Sequence, residues 1–340
     1  MKYLTSKEHG YFLKELSMLY SNGINIIQAL NMIRNRTKIK KLGRAIDNII
    51  LNLNDGLTLY ESFNKNNKIF DGLMIYMLLI AEESGQLDYI LKELQEYYYF
   101  KSKLKSKIVS QIAYPITLFI TMIIVVNILF ISIIPGFETM LSNYESISKS
   151  SNLIFQISHI ASNHWRLIVN MELVLGSLIL YFCVSKRFEN FKNNIFPINI
   201  FYKSIYKIYF YQTLSMLISS GVSINKSIWI LTEISKNTPI EKNVSKMNEN
   251  FQYSASVSDS MKISKLCSDI CYQLISSGEE SGNLDNILMK CYKIMQESFE
   301  DKLKKILALI APASIIFLAS IILSVLTSVL TPMFEVMNNI

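Results

Sequence analysis

Apolar residues recur at helical spacing from the start of the chain: Phe12, Leu16, Leu19 and Tyr20 form one stripe, and Leu42, Ile46, Ile49, Ile50 and Leu53 form another. Turn chemistry punctuates the stripes. Asn22-Gly23 and Asp55-Gly56 end helices, Asn25 with Gln28 opens one, and Thr58 with Glu61 forms a capping box for the next. A nearly continuous apolar run from Met74 to Ala81 leads into Glu82-Glu83-Ser84-Gly85-Gln86-Leu87-Asp88. After that turn Leu87, Ile90, Leu91 and Leu94 resume one face of a helix. No stretch alternates apolar and polar residues as a half-buried strand would. The pattern predicts a compact antiparallel helical bundle with short loops.

The pattern is written twice. Glu279-Glu280-Ser281-Gly282-Asn283-Leu284-Asp285 repeats the acidic turn 197 residues on, and the same register pairs Pro115 with Pro312 and Pro135 with Pro332. Upstream the offset is 198: Leu16-Ser17-Met18-Leu19 faces Leu214-Ser215-Met216-Leu217, Gly23 faces Gly221, and Thr58 and Glu61 face Ser256 and Asp259. Ile205 to Leu217 is an aromatic amphipathic helix that opens the second copy. Ile240, Val244, Met247 and Phe251 repeat the third helix's stripe, with Ser254-Ala255 where the first copy has Gly56-Leu57 and so without its glycine turn.

Three longer runs turn a soluble bundle into a membrane protein. Ile108 to Phe137 and Ile306 to Phe334 contain no charged residue, and Leu167 to Val184 contains only Glu172. Each reaches or approaches the roughly 18 to 20 apolar residues that cross a bilayer. The first and third exceed that length and so should tilt, or begin as helix in the cytosol near Pro115 and Pro312. Composition agrees, with half of the 340 residues hydrophobic and a mean hydropathy of +0.26. The predicted fold is an all-α membrane protein with two homologous cytoplasmic antiparallel helical bundles plus three transmembrane helices. The bundles cover residues 1–107 and 185–305, the spans 108–134, 167–184 and 306–331, and an extracytoplasmic loop and tail cover 135–166 and 332–340.

Charge orients these spans. Lys101, Lys103, Lys105 and Lys107 precede the first, Lys186, Arg187 and Lys192 follow the second, and Lys302, Lys304 and Lys305 precede the third. The segment from Gly136 to Trp165 has Lys149 as its only lysine or arginine and the tail after Pro332 has none, so the positive-inside rule puts the amino terminus in the cytoplasm and the carboxyl terminus outside a cytoplasmic membrane. The formal charge of +7 is thus largely topological, without the interleaved motifs of nucleic-acid binding. Met1 to Gly10 is polar and predicts no cleavable leader.

Candidate chemistry is sparse. Gly85 and Gly282 are expected in the left-handed conformation that ends a helix, with Asp88 and Asp285 in the first turn of the next helix, where the macrodipole favours an anion. Glu82 and Glu83, like Glu279 and Glu280, fall in a last helical turn, where that dipole disfavours them by roughly 0.3 to 1 kcal/mol each. Neutralising either pair should then leave a bundle as stable or more so, while weakening a contact with a basic partner surface. Glu172 lies about two turns inside a span, where snorkelling to the nearby face is the simplest accommodation, with pairing or protonation as alternatives. Cys267 and Cys271 are expected on one helix face as buried thiols, and Cys183 and Cys291 complete the set. His159 and His164 have no acidic or thiol cluster at metal spacing. No phosphate-binding loop, His-Glu-x-x-His or Gly-x-Ser-x-Gly is present, so catalytic, cofactor and metal sites are not expected.

Several stretches together carry a resemblance: Leu214-Ser215-Met216-Leu217-Ile218-Ser219-Ser220-Gly221-Val222-Ser223-Ile224 with its first-half counterpart, Gly278 to Leu284 with Glu82 to Leu87, Pro197 before the second bundle, and the prolines flanking the spans. They resemble the inner-membrane platform family of type II secretion and type IV pilus machines, most closely its Gram-positive competence branch. Ala81 and Ser254, where that pattern has glycine, and the short amino-terminal extension depart from it. The resemblance implies a non-enzymatic homo-oligomer that couples a cytoplasmic hexameric assembly ATPase to the movement of pilin-like subunits out of the membrane, for DNA uptake. A small transporter or permease subunit is the alternative, and would want more polar or interrupted spans than three; a membrane enzyme is a third.

Overall fold

The computed structural model describes residues 4–141, 149–184, 198–253 and 256–338, and every regular element among them is helical. The chain divides into two compact units, one holding residues 1–107 with 193–300 and the other residues 108–192 with 301–340.

The first unit contains both copies of the bundle. In the first copy, α1 (Ser6–Ser21) opens on a Thr5–Glu8 capping box and closes before Gly23 at φ +81°. In α2 (Ile26–Arg36) Asn25 caps alone, accepting the Ile27 N–H at 2.9 Å without the return bond expected from Gln28. Next come α3 (Lys40–Asn54) and the one-and-a-half-turn α4 (Leu59–Asn64), whose Thr58–Glu61 capping box is complete. Then α5 (Gly72–Ser84) and the start of α6 (Leu87–Ile128) fold back over them. The stripes do meet. Phe12, Phe63 and Phe70 pack with ring centroids 4.8 to 6.2 Å apart, among buried Leu16, Leu30, Ile46 and Ile49. Each such side chain contributes roughly 1.5–3 kcal/mol by leaving water.

The second copy repeats the order: α10 (Ile198–Ser219), α11 (Ile224–Ile234), α12 (Glu241–Gln252), α13 (Val257–Ile263), α14 (Asp269–Glu280) and α15 (Leu284–Asn338). Ile240, Val244 and Met247 are buried as their spacing required. Ser254, Ala255, Lys186, Arg187, Lys192 and Pro197 lie outside the described residues.

The long helices α6 and α15 begin in the bundles and continue into the apolar runs, with Pro115 inside α6. Among the described residues, two helical stretches are long and apolar enough to cross a membrane, Leu87–Phe137 and Leu284–Ser328. In the second unit a π-helical stretch, Leu129–Ile133, follows α6, and then come α7 (Ile134–Leu141), α8 (Lys149–Asn163) and α9 (Trp165–Val184). Much of the segment expected to be an extracytoplasmic loop is therefore helix. Its serine and asparagine content suggested a loop, but Ile157, Ile160 and Ala161 keep helical spacing. Ser158 donates to the Phe130 carbonyl at 2.8 Å, fixing α8 against the π-helical stretch. Ile134 and Val325 are buried together, with Phe130 and Ile321 beside them.

Candidate functional site

The acidic turn is built from the backbone outward. Gly85 takes φ +68° and Gly282 φ +69°, a conformation that favours residues without a β-carbon, and α6 and α15 start directly afterwards. Asp88 lies in the first turn of α6. It accepts from the Ser21 hydroxyl at the end of α1 and from Lys92 at 2.8 Å, and those bonds hold its carboxyl below the ordinary range. Asp285 holds the matching place in α15, where its backbone carbonyl accepts from Ser215 at 2.9 Å.

The two glutamates of each pair part company. Glu82 does not oppose a helix dipole unaided, because its carboxylate accepts the backbone N–H groups of Leu59 and, at 3.0 Å, of Tyr60, the open amino terminus of α4. Glu279 does the same for α13, taking the Val257 and Ser258 N–H groups at 2.7 and 3.1 Å and the Ser258 hydroxyl at 3.0 Å. Each carboxylate thus sits at the end of its own helix but at the start of a neighbour's, where orphan donors and the positive pole favour it. This corrects the expectation that neutralising either pair costs the bundle nothing. Sequence alone hid the pairing because the partners lie 21 to 23 residues away.

Glu83 faces the other way and meets the second copy, receiving Lys226 Nζ of α11 at 2.6 Å. Around this pair α5 and α11 form a joint. Tyr76 meets Trp229 edge-on with centroids 5.6 Å apart, and Gly72 lies where an added β-carbon would stand 3.5 Å from Ile234. A 210 Å³ cleft is lined by Ile80, Glu83 and Ser84 from the first acidic turn and by Ser220 to Ser223 and Lys226 from the second copy's glycine turn. A second strut of the joint is the half-buried Lys101, whose ammonium lies 5.1 to 5.7 Å from the ring centroids of Tyr97, Tyr98 and, across the joint, Tyr209. Burial alone would lower its pKa, but Tyr97 and Asp71 outweigh that and hold it above the ordinary lysine range. Lys107 reaches Glu300 at 2.5 Å, and the Tyr89 hydroxyl donates to the Ser219 carbonyl at 3.4 Å. Glu280, the counterpart of Glu83, is exposed.

Tyr76, Trp229 and Lys226 were not singled out from the sequence. A signal existed: the first copy has Asn31 and Gln28 where the second has Trp229 and Lys226. Glu172 accepts from Asn127 Nδ2 of α6 at 3.0 Å, so the carboxylate has a polar partner within the apolar helices. Cys267 lies in a bend ahead of α14 and so does not share a helix face with Cys271, which is buried beside Cys291. No group of three or more potential metal ligands occurs among the described residues.

The profile of the type II secretion system protein F family matches this chain twice, over residues 12–135 and 210–332, one match for each copy of the bundle and the helix that leaves it. The chain belongs to that family. The type II secretion system protein F of Vibrio cholerae is 22% identical over 99% of this chain and 84% of its own length. The type IV pilus assembly protein PilC of Pseudomonas aeruginosa is 22% identical over 96% and 89%. PilC of Thermus thermophilus shares the same identity over 98% and 84%. This protein F family member is a membrane platform component of the pilus and secretion type, and not an enzyme.

Proposed function

We propose that this chain is the platform through which a cytoplasmic assembly ATPase drives pilin-like subunits out of the membrane, in a pilus-like machine serving DNA uptake. The observation that carries the reading is the continuity of α6 and α15. Each starts at an acidic turn of the jointed bundles and runs on as one helix into an apolar stretch. A displacement imposed on the bundles would be passed on by a stiff element, without a flexible linker to absorb it. The proposed topology has three spans, 108–134, 167–184 and 306–331, with the amino terminus inside and the carboxyl terminus outside. A reporter after Ile340 should work only outside the cell and one near Asn237 only in the cytoplasm. Both reporters working on one side would contradict the topology.

The discriminating experiment pairs a pull-down of the machine's ATPase by the full-length protein in detergent with a solute-flux assay in proteoliposomes. The platform reading expects ATPase retention and no flux; flux without retention would favour the transporter. Loss of transformation with secretion intact would support the DNA-uptake role, and the reverse would assign the chain to secretion.

A further inference from the structure

Between α1 and the stretch of α6 just before its apolar run lies a cleft of about 410 Å³ that the platform reading does not use. The two helices pass close at Gly10, where a β-carbon would lie in ordinary contact, 3.7 Å from the Tyr98 backbone. Lys7 and Lys14 from α1 and Lys103 from α6 line it, and no carboxylate lies within ion-pair distance of these ammonium groups among the described residues. The exposed rings of Tyr11 and Tyr99 form its apolar walls, with Lys7 and Lys103 lying 5.8 and 5.9 Å from their centroids. Ser102 and Ser106 add hydroxyls on the membrane-ward side.

We infer that this cleft binds the headgroup of an anionic phospholipid of the cytoplasmic leaflet. Three features select that ligand. Lys103 stands five residues before Ile108 on one continuous helix, roughly 7 Å along its axis, which is headgroup depth on the reading that α6 crosses the membrane. Three uncompensated cations suit a phosphodiester, and aromatic walls suit the glycerol and first methylenes attached to it, which a free inorganic anion lacks. Finally, the cleft belongs to one copy only. Ile205, Ile208, Gln212 and Glu300 stand in the second copy where Lys7, Gly10, Lys14 and Lys103 stand in the first. The lipid would therefore bind one face of the doubled bundle.

The test is native mass spectrometry of the full-length protein released from bilayers of mixed phosphatidylglycerol and phosphatidylcholine. It compares wild type, K7Q/K14Q/K103Q, and the control K242Q/K246Q/K290Q, which removes the same charge from the second copy. The wild type and control should retain one more tightly held phosphatidylglycerol than the cleft variant, whose affinity should fall roughly fivefold per lysine, on the order of a hundredfold in all. Equal retention by all three proteins would overturn the assignment. Inorganic phosphate or a polyglutamate peptide displacing the lipid at low millimolar concentration would overturn the choice of ligand in favour of a soluble anion or an acidic partner segment. None of these outcomes depends on ATPase binding or pilus assembly, so failure here leaves the platform reading intact, and the converse also holds.

Discussion

The two copies of the bundle share their turns and caps yet use opposite helices to meet. In the first copy α5 is buried nearly all round, through Leu73, Met74, Ile75, Met77, Leu78, Ile80 and Ala81, whereas its counterpart α14 buries only Cys271, Ile275 and Gly278. Leu73 is 4% exposed and the matching Ile270 is 63% exposed. The asymmetry runs the other way for the second helix: α11 brings Lys226 and Trp229 to the joint, and α2 has Gln28 and Asn31 there. A head-to-tail contact between two like units uses one face of each, so duplication leaves the other two faces without an intramolecular partner. Most residues that build the unit are present in both copies; of those that join the units, Tyr76, Lys226 and Trp229 occur once each, whereas Glu83 recurs as the exposed Glu280.

The largest expected effect falls on the shared part. Glu82→Gln or Glu279→Gln would turn an amide donor toward backbone N–H groups, and should destabilise α4 or α13 by about 1–3 kcal/mol, read by hydrogen exchange on the full-length protein in detergent. Unaltered exchange in those helices would mean the carboxylates are ordinary surface groups. Gly278→Ala should cost a comparable amount in the second copy alone. Its β-carbon would meet Ile287 Cγ1 at 2.7 Å and Cβ at 2.9 Å, whereas the first copy already holds an alanine, Ala81, at that place. A milder loss, about 1 kcal/mol and equal in both copies, is expected for Gly85→Ala and Gly282→Ala, because nothing lies within 4 Å and only the positive φ resists.

A pH effect should separate the copies further. His9 stacks on Tyr98 at 4.7 Å, donates from Nδ1–H to the Thr5 carbonyl at 3.1 Å, and has Nε2 buried without a partner among the described residues. Burial lowers its pKa below the usual 6.5, against the opposing pull of Asp71 and Glu8 and with the help of Lys101. The unfolded state therefore binds the proton more readily, so the first copy should be fully stable above about pH 6.5 and weaken as pH falls below it. Replacing His9 with phenylalanine should flatten that dependence in thermal melts. The second copy has Lys207 at that position and should show no such histidine-linked step.

Much of this organisation was legible in residue types. Capping pairs such as Thr58 with Glu61, left-handed glycines such as Gly85, and stripes such as Val244 and Met247 act over three or four residues, and spacing reports them directly. The roles of Glu82 and Lys226 were not legible, because their partners are brought close only when α5 folds back on α4 and when the copies dock, at separations of 22 and 143 residues. Helix α8 was not legible for another reason: its serine and asparagine mask the helical spacing of Ile157, Ile160 and Ala161. Asn127 shows the same limit, since a lone polar residue in an apolar run gives no clue to the helix it will face.

The central claim is that the copies are joined through α5 and α11, with Glu83 and Lys226 in register, and that the machine works only when they are. Both side chains are about half exposed, so Glu83→Gln alone should cost no more than about 1 kcal/mol and should be masked by salt. Charge reversal is the sharper probe. Pilus assembly in cells should fall in E83K and in K226E, where like charges meet, and recover in the E83K/K226E double variant, while E280K, on the counterpart outside the joint, should behave differently and show no rescue by K226E. Normal assembly in both single variants, or no recovery in the double variant, would contradict the account.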